Sequence, residues 1–346
     1  ISNWSAPPGS LEREAAQRSG MACCVESLLA SDRKSTVVDI LDKYRDGRAG
    51  YVHLVLDEAV SVMSYLAMRG TNLVVEGRSH IIYALRDLVR LPWVRVFMSD
   101  AHLSDLEVDK IRTWMCRPVE LSLVSTKTRD EAREVAVSFG PVWNCSMRQD
   151  CYIRQLQGLV KHAENGDPVW LMAGTPDTLY WAAEELLPCL NPDRRLLITS
   201  ETRKTDSRVR KFLANPDVEA ANYDQIYSSP CITTNVSVVS RSYHVCVLQE
   251  GFWKATDVVQ ALNRNRTALS RTLLALKKHR NFVSTPEYKS HERVMLNGFV
   301  EFTEKLVARE LEESSNNENV IRSLLQGEGF TMEISAGSIA AIDLES

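Results

Sequence analysis

The stretch Val52-His53-Leu54-Val55-Leu56-Asp57-Glu58-Ala59-Val60 constrains the fold more than any other. Four of the five residues before Asp57 are Val or Leu. So short an apolar run suits a strand buried on both faces of a parallel sheet. Two carboxylates follow where that strand ends. Open α/β sheets bind ligands outside the carboxyl ends of their strands. At such a place Asp57 suits a Mg²⁺ ion carried by a nucleotide, and Glu58 suits the orientation or deprotonation of an attacking water. The same pair also suits a plainer role, as two solvated acids that open a helix.

A chain of 346 residues is long enough for two domains with cores of their own. Its formal net charge of −4 excludes a generally basic coat, so any nucleic-acid contact must be a local patch. The eight cysteines form no Cys-x-x-Cys pair, and no Cys/His cluster has zinc spacing. The vicinal pair Cys23-Cys24 reads as two small apolar residues of a reduced protein, which predicts an intracellular location, cytoplasmic or nuclear. No apolar run approaches the ~18 residues of a membrane span. The segment Ile1 to Ser10 is not a signal peptide and lacks an initiator Met, which predicts a fragment.

The α/β alternation then runs along the chain. Met21 to Val25 reads as a buried strand turning into a helix at Ser27. Ser79 to Leu91 carries Ile81, Ile82, Leu85, Leu88 and Val89 at helical spacing. Val94 to Met98 is a strand that ends in Ser99-Asp100-Ala101, and Val119 to Val124 is another. Ser104 with Glu107 reads as a capping box for a helix to Met115. Gly140-Pro141 marks a boundary. The alternation restarts with strands at Val169 to Ala173, Arg195 to Thr199 and His244 to Leu248, and with a helix from Pro176 capped by Thr175. Ala255 to Lys278 is expected to be one helix, Glu292 to Glu313 another, and Glu312 to Asn319 a polar linker.

Several of these stretches fall in one order, and that order resembles the superfamily 2 helicases. The likeness extends to replication-initiator helicases of the herpesvirus origin-binding and plasmid type. Cys23-Cys24-Val25-Glu26-Ser27-Leu28 sits where those proteins have a strand followed by Ser-Leu; Leu56-Asp57-Glu58-Ala59 matches their Asp-Glu box. Met98-Ser99-Asp100-Ala101 sits at the coupling motif, and Trp170-Leu171-Met172-Ala173-Gly174 at the first strand of the second motor domain. Ser229-Pro230-Cys231-Ile232-Thr233-Thr234-Asn235-Val236-Ser237 resembles motif V, and Gln260-Ala261-Leu262-Asn263-Arg264-Asn265-Arg266 resembles motif VI. The resemblance covers about residues 20 to 280.

It implies an α/β fold of two tandem RecA-like, P-loop-NTPase-type parallel-sheet domains with a helical C-terminal extension. The expected divisions are 1–140 for the remainder of the first domain, 141–165 for a linker and connecting helix, 166–283 for the second domain, and 284–346 for a helical extension and disordered tail. The implied function is an ATP-dependent helicase or translocase in DNA replication initiation, with ATP and Mg²⁺ as cofactors. The implied partner is DNA, single-stranded or origin duplex, with no membrane. Glu58, Gln260, Arg264 and Arg266 would be catalytic. Asp57 and Asp100 would bind the cofactor, with Asp57 on Mg²⁺. Ser27, Ser229, Thr233, Thr234 and Ser237 would contact nucleic acid. Each set has a plainer reading: an N-cap for Ser27, a hydroxyl-rich turn for Ser229 to Ser237, a solvated helix face for Gln260 to Arg266.

Asn235 and Asn263 replace the usual glycines of the last two motifs, and no Gly-x-x-x-x-Gly-Lys-Ser/Thr occurs in the sequence. The chain alone is therefore expected to release no phosphate from ATP, because nothing cradles the β- and γ-phosphates. A phosphate-release assay with and without DNA checks this. The rival to a motor is a non-hydrolysing RecA-like nucleic-acid-binding or scaffold protein. A third reading is an unrelated two-domain α/β protein.

Overall fold

The computed structural model describes residues 51–67, 75–100, 102–118, 120, 122, 133–140, 148–189, 191–230, 236–250, 253–276 and 298–334. Its elements run β1 (Val52–Asp57), α1 (Ala59–Ala67), α2 (Val75–Arg90), β2 (Val94–Ser99), α3 (Asp105–Met115), β3 (Arg133–Gly140), α4 (Arg148–Glu164), β4 (Val169–Ala173) and α5 (Pro176–Trp181). There follow β5 (Arg195–Ile198), α6 (Thr202–Thr205), α7 (Ser207–Ala214), α8 (Pro216–Glu219), β6 (Gln225–Ser228), β7 (His244–Leu248) and α9 (Ala255–Leu262). The last are β8 (Ser270–Leu276), α10 (Phe299–Ser315), α11 (Asn317–Gly327) and β9 (Phe330–Ile334). The chain is α/β, as expected, and splits into two compact units: Ile1–Val124 with Val283–Glu310, and Ser125–Phe282 with Leu311–Ser346.

In the first unit β1 and β2 pair in parallel, in register from Val52 with Val94 to Asp57 with Ser99. The α2 face predicted from its spacing, Ile81, Ile82, Leu85, Leu88 and Val89, is buried. It packs with Met63, Leu66, Trp114, Phe299 and Phe302 in one core. Each such side chain contributes roughly 1.5–3 kcal/mol by leaving water. The capping box forms as predicted: Ser104 accepts from Leu106 N–H, and Glu107 reaches back to the Ser104 N–H. Glu107 is fully buried, and Arg309 of α10 donates to it at 2.8 Å and to Ser104 Oγ at 2.9 Å.

β1 is not buried on both faces as its apolar run predicts. Leu56 is buried, whereas His53, Val55 and Asp57 are exposed, Val55 at 61%. Strand alternation puts those three on the face opposite the core. There His53 packs edge-on to Phe97 with ring centroids 5.2 Å apart, and Arg95 lies over Tyr51 at 3.9 Å.

The second unit has a seven-stranded sheet in the order β5-β6-β4-β7-β8-β3-β9, with every pair parallel. Both its faces are buried. Trp170, Met172, Ile226, Val245, Val247 and Leu273 face one core with α7, α9 and α11. Leu171, Tyr227, Cys246, Leu248 and Leu274 face the other with α4 and α5. Near-continuous apolar strands of this kind belong to a parallel sheet covered by helices on both sides.

Four expectations are corrected here. The division at 140 lies too late, because β3 pairs with β8 and β9 and so belongs to the second unit. Residues 284–346 are not only helical extension and tail, because β9 closes the sheet's edge and α11 packs Ile321 and Leu325 beneath it. Glu312 to Asn319 is no linker: α10 runs to Ser315 and α11 starts at Asn317, with Asn317 buried and bonded to Gln249. The helix expected from Ala255 to Lys278 stops at Leu262. Ser270-Arg271-Thr272-Leu273-Leu274-Ala275-Leu276 favours helix by composition, but it is pinned as β8 between β7 and β3. The strand expected at Val119 to Val124 and the one at Met21 to Val25 lie outside the described residues, apart from Glu120 and Ser122.

Candidate functional site

Parallel pairing sets Asp57 beside Ser99 at the carboxyl ends of β1 and β2. Ser99 Oγ donates to Asp57 Oδ1 at 2.8 Å. Asp100 accepts from Val60 N–H at 2.9 Å and from His102 N–H at 2.8 Å, so it holds the start of α1. Asp57 and Glu58 at the end of β1 and Asp100 at the end of β2 therefore stand on neighbouring strand ends, and Ser99 joins them. Ser99 and Asp100 link the two strand ends through side chains, a linkage that pairing alone does not supply.

Glu58 sits between β1 and α1 with φ 52°, in the left-handed region. That conformation costs a residue with a Cβ roughly 1–2 kcal/mol, and glycine adopts it without strain. An acid kept at a strained position beside a strand end argues from geometry to function. Glu58→Gly is expected to raise the unfolding free energy of this unit by up to about 1 kcal/mol. Urea unfolding of both forms checks this; a loss of stability would show that the Glu58 side chain holds the turn together.

In the second unit, Ser229 follows β6 with its N–H on the Ile198 carbonyl at 3.0 Å. Trp170 Nε1 donates to Ser228 Oγ at 2.9 Å beneath it. Ser229, Gln260 and Arg264 line one cleft with Trp170, Trp253 and Asp257. Three of the predicted residues are therefore together, although two come from one stretch and the third from a distant one.

Arg264 and Arg266 are not on a helix, as the sequence reading expected, but in the turn after α9. Their backbones flank Val238: Val238 N–H donates to the Arg264 carbonyl at 2.8 Å, and Arg266 N–H donates to the Val238 carbonyl at 3.0 Å. This lays the Val236–Val238 stretch, with Ser237 half-buried, against the Arg264–Arg266 stretch. Arg264 Nη1 donates to the Val236 carbonyl at 3.2 Å, while the Arg266 side chain is exposed. Ser27, Thr233 and Thr234 lie outside the described residues.

Two positioning residues were missed. Asn265 is fully buried; its amide accepts from Tyr243 N–H at 2.9 Å and donates to the carbonyls of Val238 and Arg241. Arg271, buried on β8, donates to the carbonyls of Leu262, Asn265 and Arg266. Burial lowers its pKa, with Arg133 nearby adding to the effect. Together they stop α9 and fix the turn. The signal was available: two asparagines in Asn263-Arg264-Asn265-Arg266 disfavour a helix interior. At the next strand end, Thr175 stands at the N-cap of α5, but its hydroxyl bonds to Glu250 at 3.1 Å rather than capping. Gly174 permits that approach, since a Cβ there would lie 2.4 Å from the Glu250 carbonyl oxygen.

No family model and no curated protein sequence matches the chain. Among solved structures, the chain is similar to the DEAD-box helicase Mss116 bound to single-stranded RNA and UDP-BeF. The identity is 14% and the TM-score 0.43, over 86% of this chain and 60% of that one. It is also similar to the Mycobacterium smegmatis helicase Lhr bound to single-stranded DNA and AMP-PNP. Here the identity is 10% and the TM-score 0.49, over 94% of this chain and 42% of that one. The chain thus spans less than two thirds of the length of either structure. Among the described residues, no helix is long and apolar enough to cross a membrane.

Proposed function

We propose that this chain is part of an ATP-dependent nucleic-acid helicase or translocase built on two RecA-like units, acting on DNA in replication initiation. The observation that carries the reading is the Asp57-Glu58 turn at the carboxyl end of a parallel strand, tied to Ser99 and Asp100. Asp57 would hold the Mg²⁺ of ATP, Asp100 would help to bind the nucleotide, and Glu58 would activate the attacking water. Gln260, Arg264 and Arg266 would act on the phosphoryl group. Ser229 and Ser237, with Ser27, Thr233 and Thr234, would bind nucleic-acid phosphates through hydroxyls and backbone N–H groups.

Contacts of that kind are sequence-tolerant and salt-sensitive. With ~3–4 phosphates neutralised, log K for a single-stranded oligonucleotide falls against log salt with a slope of roughly −2 to −3. Fluorescence anisotropy of a labelled oligonucleotide, titrated with this chain at several salt concentrations, tests the reading. Salt-independent binding, or none at low salt, would sink it.

A further inference from the structure

The second unit carries a cluster that the motor reading does not use. Helix α4 ends in a Schellman turn: Gly166 has φ 79°, its N–H bonds the Ala163 carbonyl, and Asp167 N–H bonds the His162 carbonyl at 2.9 Å. Such turns commonly bring an apolar pair together at those two flanking positions. Here the pair is polar, with His162 Nδ1 3.0 Å from Asp167 Oδ2. His244, the first residue of β7, joins them. Its N–H is fixed on the Pro168 carbonyl at 2.8 Å, and its Nε2 lies 3.9 Å from the same Asp167 oxygen.

We propose that His162, Asp167 and His244 form a binding site for a divalent transition metal such as Zn²⁺. One ligand atom from each residue lies within 4.8 Å of the others. Zinc takes nitrogen and oxygen ligands at ~2.0–2.2 Å, so a modest convergence of three side chains completes the set. The backbone of all three is held by the turn or by strand pairing, so side-chain rotation suffices. His162 and His244 now stack with ring centroids 3.4 Å apart and planes 12° from parallel. Binding tilts the rings until both lone pairs meet the ion.

The surroundings fit a cation. His244 Nδ1 is 2.8 Å from Ser270 Oγ, an outer hydrogen bond that orients the ring of a ligating imidazole. The carbonyl end of α4 favours positive charge. Asp167 also borders a hollow with Gly166, Cys189 and Gln225. Among the described residues this is the one group of three side chains so placed. Sequence spacing hides it, because His244 arrives from a distant strand.

Equilibrium dialysis of the chain against micromolar zinc tests the site. One ion per chain is expected, with affinity falling about 10–100-fold in Ser270→Ala and by more than that in His162→Ala and in His244→Ala. No bound zinc, or binding unchanged in both histidine variants, overturns the proposal. Cobalt replaces zinc in a second measurement on the unsubstituted chain, which does not depend on how the variants fold. A visible d–d spectrum without a thiolate charge-transfer band is expected. A thiolate band would put the ion on cysteine and overturn the assignment.

Discussion

Arg309→Ala is expected to lower the unfolding free energy of the first unit by about 3–5 kcal/mol. Arg309 is the partner of Glu107, whose side chain is fully buried. Removing the guanidinium leaves a carboxylate without its counter-charge inside a core, and that is far costlier than the pair is stabilising. The loss also removes the bond that Arg309 donates to Ser104 Oγ at 2.9 Å. Urea unfolding should show a midpoint well below that of the unsubstituted chain. Glu107→Leu combined with Arg309→Met should recover most of the loss, because it removes both charges together. A single-variant effect below ~1 kcal/mol would mean that water reaches Glu107.

The second large effect separates the two arginines of the Arg264–Arg266 turn. Finger arginines act mainly on the transition state and are worth ~10³-fold or more in turnover. Arg266 is the one suited to that role. Its side chain is exposed, and the structural bonds at this residue use its backbone N–H and carbonyl, which alanine keeps. Arg264 lines the cleft with Ser229 and Gln260 and bonds the Val236 carbonyl. In any longer form of the protein that hydrolyses ATP, Arg266→Ala should lose ~10³-fold in kcat with nucleotide affinity largely kept. Arg264→Ala should instead weaken ligand binding or the stability of the second unit. Steady-state ATPase kinetics with nucleotide affinities for each variant decide the matter. Near-normal turnover in both would remove this turn from catalysis.

Much of this was legible because it rests on local rules. The apolar periodicity of α2, the Ser104 and Glu107 capping box, and the Val- and Leu-rich strands β1, β2, β4 and β7 each follow from spacing within a few residues. Asp57, Glu58 and Asp100 could be placed at strand ends for the same reason, since acids that end apolar strands stand out. What was hidden depends on distant partners. β8 reads as helix until β7 and β3 pair with it on both sides. That error carried Arg264 and Arg266 onto a helix, where a two-residue offset points them apart by ~200°. The structure places them instead on either side of Val238, held by Asn265 and Arg271. The exposed face of β1 was hidden too, because an apolar run does not say which of its sides is covered.

The central claim is that the Ser228–Pro230 and Val236–Val238 stretches bind nucleic acid, and that the Arg264–Arg266 turn, whose backbone brackets Val238, is held with them. Hydrogen exchange of the chain with and without a single-stranded oligonucleotide, at low salt, tests it most directly. The account predicts slowed amide exchange in all three stretches together, with little change at α2, α3 or the His162 turn. Protection confined to other segments, or no change in these three while the oligonucleotide is bound, would contradict it.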